Sequence, residues 1–583
     1  MQWKRHLLTT LTLSALAAHS VAEQVTDQVA PEDATGVIDK QLVKSKHWMV
    51  TAANPHASDA GARVLAQGGN AVDAMIAVQL TLGLVEPQSS GIGGGAFMMY
   101  WDAKKNKLVS YDARETAPMA VTPQLFLDDE GQPLQFYDAV VGGRSVGTPG
   151  TVKLMWDMHQ QYGKLAWDKI IEPVAKLAEQ GFIISPRLAS LIAGDVEKLK
   201  RFPATAAYLL NPDGSPKTAG TLLKNPGYAA TLRRIVDQGA DGFYRGTTAQ
   251  NIVDTVNNAK GNPGVLSLND LAHYQVKQRD PVCVDYHGKQ VCGMGLPSSG
   301  GLTIGQILSF TSHFDLKQWG PNDPRSWQVL ADASQLAFAD RGLYMADTDF
   351  VPVPVSGLLD QNYLKERAEL IEPGKALTKV AAGNPPWDHA LNYQPDEAIE
   401  LPCTSHFNIV DSDGNVISMT TSIENVFGSR LFVDGFFLNN ELTDFSFRTQ
   451  VDGQPIANRV EPGKRPRSSM SPTIVLEDNK PYLAIGSPGG SRIIGYVAQS
   501  LIAHLDWGMD IQQAVSMPHV LNRFGTVDLE AGTKATQWQV PMEKMGFDVS
   551  VRDLNSGLHA IRLTPNGLEG AADPRREGTA IGQ

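Results

Sequence analysis

The stretch Thr404-Ser405-His406-Phe407-Asn408-Ile409-Val410-Asp411 follows a loose, proline-bearing segment and runs straight into a hairpin pattern. Beyond it, Asp411-Ser412-Asp413-Gly414-Asn415 holds an Asp-Gly turn between alternating runs at 406–411 and 415–423, so two antiparallel strands are expected. Thr404 stands where the first strand begins. A chain cut between Cys403 and Thr404 would give that threonine a hydroxyl nucleophile and, on the same residue, an α-amino group with an ordinary pKa of roughly 7.7 to 8.0. The amine can then act as base for its own hydroxyl. Taken alone, a threonine here is most often an ordinary strand residue. The surrounding sequence decides between the two.

Downstream lie Asn425-Val426-Phe427-Gly428-Ser429, Leu438 to Phe445, Pro466-Arg467-Ser468-Ser469-Met470-Ser471-Pro472-Thr473 and Gly486-Ser487-Pro488-Gly489-Gly490-Ser491. Upstream lie Ala66 to Ala74, Ser90-Gly91-Ile92-Gly93-Gly94-Gly95, Asp112-Ala113-Arg114-Glu115-Thr116-Ala117-Pro118 and Pro297-Ser298-Ser299-Gly300-Gly301, and the C-terminus has Asp573-Pro574-Arg575-Arg576. In these ordered motifs the chain resembles the γ-glutamyltranspeptidases, N-terminal nucleophile hydrolases made as one precursor. The resemblance covers nearly all of the mature sequence. It implies an α/β fold, a four-layer αββα sandwich built from two chains of one self-cleaved precursor: a large chain of residues 23–403 and a small chain of residues 404–583.

The first residues read as a targeting segment, residues 1–22. Lys4, Arg5 and His6 make a basic start, Leu7 to Ala18 is apolar or small, and Ser20-Val21-Ala22 is a small-residue cleavage site. No later run approaches the roughly 18 apolar residues of a membrane span, and no Asn-x-Ser/Thr acceptor follows the leader. A periplasmic or secreted protein, off the membrane once the leader is removed, is expected. At 42% hydrophobic and 19% charged residues the chain has ample material for a core, and a formal charge of -12 argues against a nucleic-acid surface. Of three cysteines, Cys283 and Cys292 flank Tyr286-His287-Gly288-Lys289 in a hairpin pattern, where either a cross-strand disulfide or two thiols would fit. Cys403 would become the end of the large chain.

Two motifs read as decoys. Gly91 to Gly95 follows a helical run, Ala71 to Val85, and precedes a strand-like run, Ala96 to Trp101, which is the wrong order for a phosphate loop. Gly143-Arg144-Ser145-Val146-Gly147 matches a serine-hydrolase elbow, but Thr148-Pro149-Gly150 separates it from the helix that the elbow requires. No spacing points to a metal site, and no cofactor is expected. Residues 372–402 are poor in periodicity and read as a flexible arm, and strands are expected at 473–477, 482–485, 548–552 and 558–563.

The resemblance assigns roles. Thr404 is the nucleophile, and Ser422 takes the place where a threonine usually hydrogen-bonds it. Backbone N–H groups of Gly489 and Gly490 suit an oxyanion hole. Arg114, Ser468 and Ser469 would bind a donor's α-carboxylate. Asp444, with Glu441 and Glu424, would hold its α-ammonium; many members have Asn in place of Glu424, and Gln is known in place of Glu441. Residues 444–466 are short and lack tyrosine, where members with a lid carry one, so hydrolysis is expected to compete strongly with transfer. The implied reaction is cleavage of glutathione and other γ-glutamyl compounds through an ester on Thr404, with water, amino acids or peptides as acceptors. An acylase for glutaryl- or cephalosporin-type amides is the alternative within the family, and an unprocessed scaffold the alternative outside it.

Overall fold

In the computed structural model the described residues are 36–389, 392–396, 398, 400, 401 and 403–583. The expected leader lies outside them.

The expected hairpin is present, with strands Thr404–Val410 and Val416–Ser422; the first begins two residues earlier than expected and the second is one residue shorter at each end. Their register sets Thr404 opposite Ser422, and Gly95 lies on the far side of Ser422. The pair sits at the centre of a seven-stranded sheet ordered Thr579–Gly582, Met49–Ala52, Thr404–Val410, Val416–Ser422, Gly95–Asp102, Lys107–Ala113 and Lys277–Arg279. A second seven-stranded sheet runs Val43–Ser45, Gly567–Ala572, His559–Thr564, Lys480–Gly486, Thr473–Glu477, Lys289–Gly293 and Val282–Tyr286. The two sheets face each other, and helices cover both outer faces, giving the αββα order.

Being covered on both faces leaves Thr404–Val410, Val416–Ser422 and Gly95–Asp102 buried at every residue. Along Gly95–Asp102, Ala96, Met98 and Tyr100 join Phe407, Ile409, Ile417 and Met419 under the helices. Phe97, Met99 and Trp101 join Val410 and Val416 between the sheets. The helix Ala71–Val85 is buried at every residue because it lies against the first sheet and against the helices Pro55–Ala66, Thr151–Tyr162 and Trp167–Gln180. Asn70 and Asp73 close its N-terminus as a reciprocal capping box. On the opposite face Gly300–Thr311, Ile493–Leu505 and Ile511–Ser516 pack on the second sheet.

The glycine run 91–95 serves close packing. A Cβ at Gly94 would stand 2.0 Å from the Ser422 carbonyl oxygen, so only glycine lets this strand entry touch the hairpin. Ser145 is buried in a short 3-10 turn, its hydroxyl donating to the Val140 carbonyl at 2.7 Å, which removes it as a nucleophile. Cys283 and Cys292 are directly paired across their two strands and joined as a disulfide.

The end of the sandwich nearest Thr404 is polar. His406 Nδ1 contacts Thr420 Oγ1 at 2.8 Å, His406 Nε2 contacts Asn408 Oδ1 at 3.1 Å, and Asn408 donates to the His559 carbonyl at 2.8 Å. Burial, and then His559, holds the His406 pKa down at about 3; burial holds His559 at about 4. Unfolded, each would take up a proton near pH 6.5. The stability gained by keeping them neutral is therefore present above that pH and is lost as pH falls towards 4 and below. Thermal denaturation of His406→Gln is expected to show a shallower loss of Tm between about pH 6.5 and 4 than the parent chain, because one of the two groups no longer titrates. Equal slopes would contradict this account.

Candidate active site

Thr404 is only 4% exposed and points into the space between the sheets, in phase with His406 and Asn408. A cavity there is lined by Arg114, Thr404, Ser422, Glu424, Glu441, Asp444, Ser468, Ser469 and Gly490, together with Glu400, Leu401, Met470 and Ile493. Nine of the ten residues assigned to catalysis or binding thus meet in one place; the tenth, Gly489, adjoins Gly490. They come from five places: the hairpin and the loop that leaves it, the loop after Lys107–Ala113, the 3-10 turn Glu441–Asp444, the loop before Thr473–Glu477 and the loop after Lys480–Gly486.

The chain is continuous at Cys403–Thr404, and its hydrogen bonds describe the precursor. The Ser422 hydroxyl donates to the Cys403 carbonyl oxygen at 2.9 Å and receives the Glu424 backbone N–H at 2.8 Å. Thr404 Oγ1 lies 3.3 Å from Ser422 Oγ. A hydroxyl has one donor and two acceptor positions. With its donor on Cys403, Ser422 accepts from Thr404, which leaves a lone pair of Thr404 Oγ1 free. One serine thus donates to the Cys403 carbonyl and holds the Thr404 hydroxyl beside it. Arg576 Nη1 donates to the Thr404 carbonyl at 3.4 Å, which places the C-terminal Arg-Arg motif beside Thr404. Cys403 is buried, its thiol donating to the Gln88 carbonyl at 3.1 Å.

Gly489 and Gly490 have φ of +136° and +59°. Gly490 carries the left-handed turn that opens the 3-10 start Gly490–Arg492 of the helix Ile493–Leu505. A Cβ on it would come within 2.9 Å of the backbone of Glu400 and Leu401.

Arg114 is fully buried. Its Nη1 is paired with Glu441, its Nη2 lies 2.5 Å from Asp444 and 2.8 Å from the Arg467 carbonyl, and its Nε donates to the Pro466 carbonyl at 3.2 Å. Burial works against its charge, but Glu441 and Asp444 keep it ionised. The acids outnumber it. Glu424 accepts from the Leu401 N–H at 3.2 Å and from the Asn440 side chain, and it sits at φ +72°, a strained value for a residue with a Cβ. Burial raises Glu424 well above the usual carboxylate range, with Asp444 and Glu441 adding to the rise; burial likewise raises Asp444 against the opposing pull of Arg114. Glu115, which faces Glu441, is raised by burial and by that neighbour. Asp444 Oδ1 is buried without a hydrogen-bond partner among the described residues. Such a cluster lacks a cation.

Three residues around the cavity were not singled out in the sequence. Glu400 accepts from Ser469 Oγ at 2.5 Å and is paired with Arg341. Arg467 lies 3.6 Å from Glu400 and 2.8 Å from Asp396.

Residues 57–583 match the family model for γ-glutamyltranspeptidase. The chain belongs to the γ-glutamyltranspeptidase family. It is 40% identical to a glutathione hydrolase proenzyme of Bacillus subtilis (strain 168), with 93% of this chain and 92% of that one aligned. To the glutathione hydrolase proenzyme of Escherichia coli (strain K12) it is 34% identical over 98% of both chains. Among solved structures, a cephalosporin acylase from Bacillus halodurans superposes with a TM-score of 0.83 at 25% identity, covering 95% of this chain and 99% of that one. The fold is that of the N-terminal nucleophile hydrolases, as the motifs implied. Among the described residues, no helix is long and apolar enough to cross a membrane, and no group of three or more His, Cys, Asp or Glu side chains could hold a metal ion.

The Ser422 geometry yields a direct expectation for this transpeptidase-family chain. Ser422→Ala removes the donor to the Cys403 carbonyl and is expected to slow appearance of the two chains by about a hundredfold or more, the usual effect of losing one such donor. Ser422→Thr restores a hydroxyl and should recover most of the rate, followed by gel electrophoresis of the purified precursor. Wild-type processing in Ser422→Ala would remove the role given to this hydroxyl.

Proposed function

We propose that the chain matures by self-cleavage at Cys403–Thr404 and then acts as a periplasmic or secreted γ-glutamyltransferase and glutathione hydrolase. In maturation Thr404 Oγ attacks the Cys403 carbonyl carbon, the Cys403–Thr404 C–N bond breaks, and an ester takes its place. Water hydrolyses that ester, leaving a Cys403 carboxylate and a free Thr404 amine on a paired large and small chain.

In turnover the freed amine accepts the proton of its own hydroxyl as Thr404 Oγ attacks the γ-carbonyl of the donor. The backbone N–H groups of Gly489 and Gly490 receive the developing oxyanion. The proton passes to the leaving amine, the γ-glutamyl group remains as an ester on Thr404, and water, an amino acid or a peptide then takes it up. The segment 444–466 carries no tyrosine, which supports hydrolysis competing with transfer. With a dipeptide acceptor present, free glutamate should still be a major product of glutathione turnover; exclusive transfer would contradict that.

The observation that carries the reading is the cation-deficient acid cluster beside Thr404. Arg114, Ser468 and Ser469 form the side that receives a carboxylate. Asp444, with its unpartnered Oδ1, and the neighbouring Glu441 and Glu424 form the side that receives an ammonium. A γ-glutamyl group presents both charges on one carbon. The acylase reading draws on the cephalosporin acylase fold, but a glutaryl donor has no ammonium and would leave the buried acids uncompensated.

Matched γ-glutamyl and glutaryl anilides differ only in the α-amino group, so their initial rates test this directly. A clear γ-glutamyl preference is expected, and equal or better glutaryl turnover would assign the chain to the acylases. The raised pKa values give the preference a pH dependence. Asp444 and Glu424 lose their charge at a higher pH than ordinary carboxylates do, so the γ-glutamyl advantage should shrink as pH falls through the acid range. An advantage that is flat with pH would show that these acids do not read the ammonium.

A further inference from the structure

The arm that precedes the cut separates two cavities. Glu400 and Leu401 line the one beside Thr404, and Pro395, Asp396 and Ala398 line a second. Their sizes differ sharply. The first has a volume of about 20 Å³, room for a single water, and the second about 440 Å³, the size of a site for a small organic ligand. A γ-glutamyl group therefore enters the first only when Glu400 withdraws from Ser469 and Leu401 from Glu424. After the proposed cut the arm has a free end, and its withdrawal removes the wall between the cavities.

The rest of the second cavity does not depend on that wall. Gln335, Phe338, Ala339 and Gly342 lie at helical spacing on one face of Pro324–Tyr344. Arg341 of the same helix donates to Ser469 at 2.7 Å, so the two cavities adjoin across it. The stretch 380–382 is held where Arg367 donates to the Ala381 carbonyl at 2.9 Å and Asp340 accepts the Gly383 N–H at 2.9 Å.

Its lining is aromatic with a cation at one side. The Phe338 and Phe524 rings meet edge to face with centroids 5.5 Å apart. Arg523 also lines the cavity, and its Nη1 donates at 2.7 Å to the hydroxyl of Ser491, the residue after Gly490. The cation thus adjoins the loop assigned to the oxyanion. A guanidinium has several N–H donors, so Arg523 can keep Ser491 and also bind a carboxylate. Asp396, the acid in the lining, is paired with Arg467 at 2.8 Å. In a γ-glutamyl amino acid, the carbon attached to the scissile nitrogen carries both a carboxylate and a side chain.

We propose that this cavity is a specificity subsite for the amine half of the donor. It selects γ-glutamyl dipeptides with a large apolar second residue, the side chain against Phe338 and Phe524 and the carboxylate on Arg523. This rests on the γ-glutamyl reading above and narrows it: glutathione offers only a cysteine side chain at that position and carries its carboxylate one residue further on.

The test measures glutamate release by the mature protein from γ-glutamyl-phenylalanine, from the same peptide with a C-terminal carboxamide, and from γ-glutamyl-alanine. The wild type should favour the first over each of the others by about tenfold or more in kcat/KM, one ratio reading the charge and the other the side chain. Arg523→Gln should bring the acid-to-amide ratio close to one and keep phenylalanine ahead of alanine; Arg523→Lys should restore part of the first ratio. Ala339→Phe, which fills the cavity from the helix, should do the converse. Wild-type ratios near one would overturn the proposal, and they are read without any variant having to fold or mature. Equal losses on all three donors in Arg523→Gln, the result of a merely structural arginine, would overturn it too. No glutamate release from any donor, the γ-glutamyl anilide included, would instead remove the γ-glutamyl reading, and this subsite with it.

Discussion

The register of one hairpin governs the site. Pairing Thr404 with Ser422, and Ser422 with Gly95, places two hydroxyls and the Cys403 carbonyl within hydrogen-bond reach at the edge of a layer closed by two sheets. A slip of one residue would turn Thr404 towards the helices and replace it with Ser405. The alternation of Phe407 and Ile409 into one core, and of Val410 into the other, holds that register in place. Apolar packing several residues away therefore fixes a polar contact of about hydrogen-bond length. Gly94, where any Cβ would collide with the Ser422 carbonyl, is the corresponding requirement at the entry to the neighbouring strand.

Electrostatics supplies the second layer of the account. Burying Glu115, Glu424, Glu441 and Asp444 around Arg114 leaves more acid than base in a space that water scarcely reaches. Such an arrangement weakens a fold unless something positive enters it. The other flank, with Arg341 and Arg467, has the opposite need, which the arm meets in the precursor through Glu400 and Asp396. A site divided into a cation-seeking and an anion-seeking half suits a zwitterionic group and discriminates by charge geometry more than by shape.

Much of this was legible in the chain. The hairpin, the buried helix Ala71–Val85 and the strands near the C-terminus follow from periodicity and turn residues, and Gly489-Gly490 marks a strand-to-helix corner by composition alone. The family motifs located Arg114, Asp444, Ser468 and Ser469. What pattern reading left out has a common cause. Arg341 lies within a long helix, Pro324–Tyr344, and Glu400 lies in an irregular arm, so neither has a local signature. They meet because the loop carrying Ser469 passes between them, 128 residues from Arg341 and 69 from Glu400 along the chain. The engagement of Arg114 by two acids was equally unreadable, since a motif names residues but not which of them pair in the folded state.

The central claim is that Thr404, as the N-terminus of the small chain, carries the acyl group. The most direct measurement is an acid quench during steady turnover of a γ-glutamyl anilide, followed by peptide mapping of the small chain. The account predicts a peptide that begins at Thr404 and carries the mass of one γ-glutamyl group, released by hydroxylamine as an ester would be. A small chain that begins elsewhere, or a γ-glutamyl label on any other residue, would contradict it.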